Sequence, residues 1–365
     1  MEPIRVLQVI GGLNRGGAET MLVNLYKAID KTKVQFDFVI HDSRQDAYIK
    51  DIEALGGKIY VFPKFTFKNY ISYKKHWEKF LENHPEYKII HSHVRSYAIV
   101  FVRVAKKLGI KTIVHSHSTS NGSGKKAFLK NLMQLPLRKE CDYMFACSKI
   151  SGQWLFGKDV VNAPNYKMIK NAIDTQKYVV DSSVRENMRS ELGVEGKTVY
   201  GHVGRLSAPK NHKFLLEIFK EIVKKEPDSA LLIVGQGECR KQIEEYTDEL
   251  GLNDSVIMTG ARGDIPEVLS AMDVFLFPSF WEGLPVTVVE AQASGLPCLV
   301  SDKVTEEVKV SDAVTYLPID TGTDCWVSNA LNLKGKRFDV ISDIKKAGFD
   351  VNDSARDLEE FYRSI

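Results

Sequence analysis

Short apolar runs alternate with amphipathic stretches along most of the chain. In the first half the runs are Arg5–Ile10, Phe36–Ile40, Lys58–Val61, Ile89–His91, Thr112–His115 and Tyr143–Ala146. In the second half they are Thr198–Val203, Ala230–Val234, Ser255–Met258, Val274–Phe277 and Cys298–Val300. Runs this short, separated by segments with helical spacing such as Phe214–Lys225 and Cys239–Leu250, predict parallel strands joined by helices. The order occurs twice, with a break near Lys170-Asn171-Ala172-Ile173-Asp174 and a polar, less regular stretch at 176–196. The expected fold class is therefore α/β, with two Rossmann-like parallel-sheet domains facing across a cleft. We place the first domain at 1–172 and the second at 173–345, with a last helix, 346–365, packing back toward the first domain.

Charge sharpens this division. Residues 1–175 hold 28 Lys and Arg against 15 Asp and Glu, whereas residues 176–365 hold 22 against 32. A basic half joined to an acidic half implies domains with different partners. The five cysteines are scattered without CxxC spacing, so we read them as reduced thiols. No apolar run approaches the ~20 residues of a membrane span, and the first residues do not read as a signal peptide. A cytoplasmic protein is expected.

Glu282 and Glu290 lie eight residues apart across a loop-to-helix junction marked by Pro285. At ~1.5 Å per helical residue they are roughly 12 Å apart, too far to flank one scissile bond. They suit the two ends of an elongated polyhydroxyl ligand, with free helix N–H groups between them for an anion. A sugar nucleotide has that form. Upstream, Arg205 in Gly204-Arg205-Leu206, together with Lys210, offers two cations after a strand end, where a diphosphate could be neutralised.

These elements, with Val234-Gly235-Gln236-Gly237-Glu238 and Gly11-Gly12…Gly16-Gly17-Ala18-Glu19, resemble retaining GT-B glycosyltransferases of family four (group 1), including those of bacterial exopolysaccharide and capsular polysaccharide synthesis. The resemblance runs essentially end to end. Ala172 and Gln236 depart from the family's usual Gly and Asp. The resemblance implies that Arg205 and Lys210 hold the donor diphosphate and that Glu282 binds the transferred sugar. It also implies that Glu290 binds the ribose, that the Gly283 and Leu284 N–H groups approach the distal phosphate, and that Gly260 and Arg262 lie by the base. Gly235 belongs to the donor-binding set, and Gly16 and Gly17 bring a loop toward the phosphates. The implied reaction is retaining hexosyl transfer from a nucleotide-diphosphate sugar, a UDP-sugar first among candidates, without metal or other cofactor. The diphosphate's own oxygen deprotonates the acceptor hydroxyl, and leaving-group charge stabilisation is the main catalytic contribution.

His91-Ser92-His93 and His115-Ser116-His117 each end a strand, and period-two spacing puts both members of a pair on one side. The resemblance places His115 at the reacting sugar, with His117 as the alternative and with His91 and His93 as structural or acceptor-side groups. Four histidines also raise zinc, but no Cys or carboxylate pattern accompanies them, and no metal site is assigned.

Two segments mix cations with large apolar residues. Phe62–Trp77 holds Phe65, Phe67, Tyr70, Tyr73 and Trp77 among four lysines, and 124–139 holds Phe128, Leu129, Leu132, Met133 and Leu135 among five cations. Each is either a core-facing helix with a basic outer side or a surface for anionic lipid at the inner membrane face. The expected acceptor is a saccharide or a lipid-linked saccharide in polysaccharide synthesis. No nucleic-acid module is found, and oligomeric state is not readable. Two rivals stand beside this reading: a sugar-nucleotide epimerase on the same scaffold, and a non-catalytic sugar-nucleotide-binding subunit of a transferase.

Overall fold

The computed structural model describes residues 2–14, 16–41, 47–118 and 124–365. The chain forms two compact units, Met1–Ile173 with Gly348–Ile365, and Asp174–Ala347.

The first unit is built on seven strands: β1 Ile4–Val9, β2 Val34–Ile40, β3 Ile59–Val61, β4 Ile89–Ser92, β5 Lys111–Ser116, β6 Tyr143–Ala146 and β7 Tyr166–Met168. All pair in parallel in the order β3-β2-β1-β4-β5-β6-β7. Every residue of β2 is buried, as expected for a strand covered on both faces. One face carries Leu7, Val39, Trp77, Phe101 and Val114. The other carries Leu22, Tyr26, Phe36, Phe38 and the terminal helix Val351–Ser364 through Ala355, Leu358 and Tyr362. That helix is tied in at its start, where Val351 N–H donates to the Ile173 carbonyl at 2.9 Å. The Asp350 carboxylate accepts from the N–H groups of Asn352 and Asp353, satisfying two donors of the first turn.

The second unit has six strands: β8 Thr198–Val203, β9 Ser229–Val234, β10 Val256–Gly260, β11 Val274–Phe277, β12 Cys298–Ser301 and β13 Val314–Leu317. They are again all parallel, in the order β10-β9-β8-β11-β12-β13. The predicted strands appear within one or two residues of their expected limits. β7 and β13, each at one edge of its sheet, are not among the predicted strands. In both sheets the order reverses beside the first strand, between β1 and β4 and between β8 and β11. Ligands of doubly wound sheets bind beyond the carboxyl ends of the strands at such a reversal.

Candidate functional site

In the second unit the residues following β8 and β11 meet at that reversal. Lys210 ends a short helical turn, Ala208–Lys210, just before the helix His212–Lys225. Asn211 makes this sharp corner in the left-handed region, at φ 56°, and its side-chain amide donates to the Pro278 carbonyl at 3.1 Å. The β8 loop is thereby fixed to the loop carrying Glu282. Lys210 Nζ lies 2.8 Å from Glu282 Oε1, with the two side chains only 13% and 15% exposed. It also stands 4.4 Å from the centre of the Phe277 ring. His202 and His212 lie nearby and stay neutral. Burial is the main cause, with the Lys210 charge adding to it, and the His212 pKa falls to about 4.

Arg205 is not part of this pair. Its guanidinium is largely exposed and is clipped by Glu238 at 3.0 Å. The Glu238 pKa is lowered by its own backbone N–H and by Arg205. Gly235 shapes the same loop: at φ 147° it lies so close that a Cβ there would sit 1.9 Å from the Gly204 carbonyl oxygen. Its N–H donates to the Gly260 carbonyl, so it lets the segments that follow β8 and β10 close in on it from either side. Arg262 is held by Asp264 and by Glu191, the latter at 2.8 Å. These two carboxylates raise its pKa, Asp264 contributing the larger share.

Pro285 stands at the N-cap of the helix Val286–Ala293, preceded by Gly283 and Leu284, so the N–H groups of the first turn have no side-chain cap. Glu290 sits on this helix, half-buried. Its Oε1 accepts from the Tyr178 hydroxyl at 2.8 Å, leaving its second oxygen for another donor. Burial raises the Glu290 pKa, and the Tyr178 bond partly offsets that. Tyr178, remote in sequence, gave no signal that would have marked it as Glu290's partner.

In the first unit, Gly16 is the N-cap of the helix Gly17–Ala28 and offers no side-chain cap. The Glu19 carboxyl folds back over it, so close that a Cβ on Gly16 would lie 2.3 Å from Oε2. A carboxyl thus stands where the sequence reading expects a phosphate. Burial raises its pKa, partly offset by its own backbone N–H.

The four histidines do come together. His91 and His93 stack at 4.6 Å, and His115 and His117 lie 4.0 Å apart. His115, the preferred reacting-sugar residue, is only 1% exposed. Neither of its ring nitrogens makes a well-formed hydrogen bond among the described residues. His117 reaches the surface. A chain of hydrogen bonds fixes the tautomers. Gln8 Oε1 can only accept, so His93 Nε2 donates to it at 3.0 Å. His93 Nδ1 then accepts from His117 Nε2 at 2.8 Å. His117 Nδ1 is left as an acceptor, with Asn171 beside it. On the other branch Gln8 Nε2 donates to the Tyr362 hydroxyl, which donates to His91 Nδ1 at 2.6 Å. Burial lowers all four pKa values, to about 3 for His91 and for His117, so the cluster is uncharged at neutral pH.

Nitrogens of His91, His93 and His115 lie within 4.8 Å of one another, close enough to raise the question of a metal ion. Among the described residues, no carboxylate or thiolate belongs to this group. The Arg95 charge acts on His117 from nearby, so a cation would add to positive charge there. The cluster reads as a neutral hydrogen-bonding network.

Residues 184–324 match the family "Glycosyl transferases group 1", and residues 15–177 match "Glycosyltransferase Family 4". The chain is 30% identical over 370 residues to EpsF of Bacillus subtilis (strain 168), named as a glycosyltransferase, covering 98% of this chain and 96% of that one. It belongs to the group 1 and family 4 glycosyltransferases, with the two parallel-sheet domains of GT-B architecture. It is also 30% identical over 225 residues to the Escherichia coli UDP-Gal:α-D-GlcNAc-diphosphoundecaprenol α-1,3-galactosyltransferase, covering 60% of this chain and 58% of that enzyme. Anabaena HepE in complex with UDP shares the fold at a TM-score of 0.82 and 19% identity, covering 99% of this chain and all of that one. HepE has also been solved with UDP-glucose.

Proposed function

We propose that the chain transfers a hexose from a UDP-sugar to a lipid-linked saccharide in polysaccharide synthesis, with retention at the anomeric carbon and without a divalent ion. The observation that carries this is the half-buried Lys210–Glu282 pair at the β8/β11 reversal. A lysine held there is ready to exchange its carboxylate partner for a phosphate, and the released Glu282 can then accept sugar hydroxyls. Arg205 would likewise leave Glu238 for the diphosphate, a small sacrifice because surface pairs of this kind contribute only ~0–1 kcal/mol. As the glycosidic bond breaks, charge grows on the diphosphate, and both cations stabilise it. The Glu290 oxygen not taken by Tyr178 binds the ribose. The UDP and UDP-glucose complexes of HepE, and the donor and acceptor in the E. coli relative's name, support this class of substrates.

We assign the sugar-contacting histidine to His117 rather than His115, because His117 alone of that pair reaches the surface. We also place the protein at the inner face of the cytoplasmic membrane, through the helix Lys125–Gln134. Its buried residues are only Ala127 and Gln134. Phe128 is 63% and Leu135 just beyond it 68% exposed, with Leu129 and Leu132 between them and Lys125, Lys126 and Lys130 alongside. Apolar side chains flanked by cations suit an anionic lipid surface.

The test is incubation with UDP-hexoses and the diphosphoprenyl acceptor, with product analysis by NMR. An α-linked product that forms equally well in excess EDTA is expected. An inverted anomer, or turnover abolished by EDTA and restored by Mg²⁺, would overturn the retaining, metal-free mechanism.

A further inference from the structure

His202, on β8, is wholly buried, and its hydrogen bonding is only half complete. The Leu276 carbonyl can only accept, so His202 Nδ1 carries the proton and donates to it at 2.9 Å. Nε2 is left with a lone pair that has no hydrogen-bond partner among the described residues. A buried acceptor without a donor is costly and rarely kept. The neighbouring rings do not supply one. Phe275 and Phe277 stack on the imidazole at 6.4 and 5.5 Å. His212 meets it edge to face at 5.0 Å, and its own Nε2 is also without a partner among the described residues. The donor close at hand is Lys210. A Cβ on Gly204 would lie 3.0 Å from Lys210 Cε and 3.2 Å from His202 Nε2, so this glycine leaves open the space that the two flank. Lys210 Nζ, one bond beyond Cε, stands over the Phe277 ring in its pair with Glu282.

An ammonium has three N–H groups to place, and little of the Lys210 side chain is open to water. Drawn off Glu282 by a diphosphate, it needs a further acceptor to fix its direction. We propose that His202 is a positioning residue for Lys210: as the diphosphate displaces Glu282, one ammonium N–H turns to His202 Nε2, which holds the charge in line with the phosphates. A neutral imidazole suits this task. It accepts a hydrogen bond without bringing a negative charge, so the full charge of Lys210 stays available to the leaving group. A carboxylate in its place would compete with the phosphates for the lysine. Burial, the largest influence on the ring, keeps it unprotonated and its lone pair free. The inference rests on the donor reading above and adds to it a residue that acts through Lys210.

The test is a double-mutant cycle on UDP affinity, measured calorimetrically with the full-length protein. His202→Phe keeps a ring between Phe275 and Phe277 but removes the acceptor, and should weaken UDP binding by about fivefold or more. In the Lys210→Ala background the same substitution should change the affinity by less than about twofold, because the group it positions is gone. His202→Gln, which again offers one donor and one acceptor, should recover most of the loss. An unchanged affinity in His202→Phe, or an equal loss in both backgrounds, overturns the proposal and leaves His202 a packing residue. A second readout needs no folded His202→Phe. In wild type carrying ¹⁵N-labelled histidines, saturating UDP should move the unprotonated His202 Nε2 resonance upfield as it gains a donor, and in Lys210→Ala it should not. The resonance is assigned by its absence from the His202→Gln spectrum. No movement in the wild-type protein overturns the proposal. UDP left unbound by wild type, or bound equally by Lys210→Ala, is failure of the donor reading, and this inference falls with it. Weaker binding by Lys210→Ala with no effect at His202 is failure of this inference alone.

Discussion

The two sheet reversals of this chain use the same topology for opposite electrostatics. In the second unit the reversal holds a lysine and a glutamate paired at 2.8 Å, with Arg205 and Glu238 paired further out. In the first unit it holds four neutral histidines, three of which, His91, His93 and His117, are joined with Gln8 and Tyr362 by hydrogen bonds between side chains without formal charge. Preformed ion pairs that can exchange partners suit a dianionic leaving group. Neutral donors and acceptors in fixed tautomers suit hydroxyls, whose protons must be read without being removed prematurely. Repeating a fold therefore does not repeat a site; the residues placed just past the strand ends decide what each sheet can bind.

Removing the cation of the second unit should have the largest effect. Lys210→Ala is expected to lower kcat by ~10²–10³ while circular dichroism stays native, the scale seen when one charge-stabilising contact is lost. It also leaves Glu282 unpaired, so some loss of Tm should accompany it. The double variant Lys210→Ala/Glu282→Gln should recover that Tm without recovering kcat. Recovery of both would mean that the pair serves the fold alone.

The neutral cluster should respond more mildly. His117→Ala is expected to lower kcat by about tenfold to a hundredfold, within the range for a polar contact to a reacting group. Conservative Tyr362→Phe, which frees the His91 end of the network, should cost less than His117→Ala. An unchanged kcat for His117→Ala would return the histidine role to its neighbours or remove it altogether.

Smaller still is the effect expected at Glu290. Tyr178→Phe keeps the ring and deletes one neutral hydrogen bond, usually ~0.5–1.5 kcal/mol, so the donor KM should rise a few-fold with kcat nearly unchanged. A kcat effect larger than the KM effect would show that Tyr178 does more than orient the carboxylate.

Acid should act on stability through the buried histidines. The folded pKa values of His91 and His117 fall to about 3, and those of His41 and His212 to about 4. All lie below the unfolded value of ~6.5, so below that pH the unfolded chain binds more protons. Their stabilisation is fully present above pH ~6.5 and is lost as pH falls toward 4, by as much as ~1.4 kcal/mol per pH unit for each histidine. Tm should therefore drop steadily between pH 6.5 and 5. A flat Tm over that interval would contradict the neutral, buried cluster.

Much of the fold was legible because parallel strands covered on both faces are written as compact apolar runs, β2 and β11 among them. The outermost strands β7 and β13 were not, since their short runs alternate and are only partly covered. At the candidate site, the residue types after strand ends could be read, and Lys210 and Glu282 do meet. Their partners could not be foreseen. Tyr178 reaches Glu290 across 112 positions and Tyr362 reaches His91 across 271, contacts that no local pattern encodes. Nor does spacing report depth: His115 and His117 have equivalent places in their motif, yet one is sealed inside the first unit and the other reaches the surface. The basic segment at 124–139 shows the same limit in reverse. Its composition left open whether the apolar side faced the core, and the exposure of Phe128 and Leu135 resolves that for these side chains.

Calorimetric titration of UDP into wild type and Lys210→Ala at low ionic strength decides whether Lys210 grips the donor diphosphate. Saturable binding by the wild-type protein and at least tenfold weaker binding by the variant are expected. Equal affinities in two folded proteins would contradict that grip.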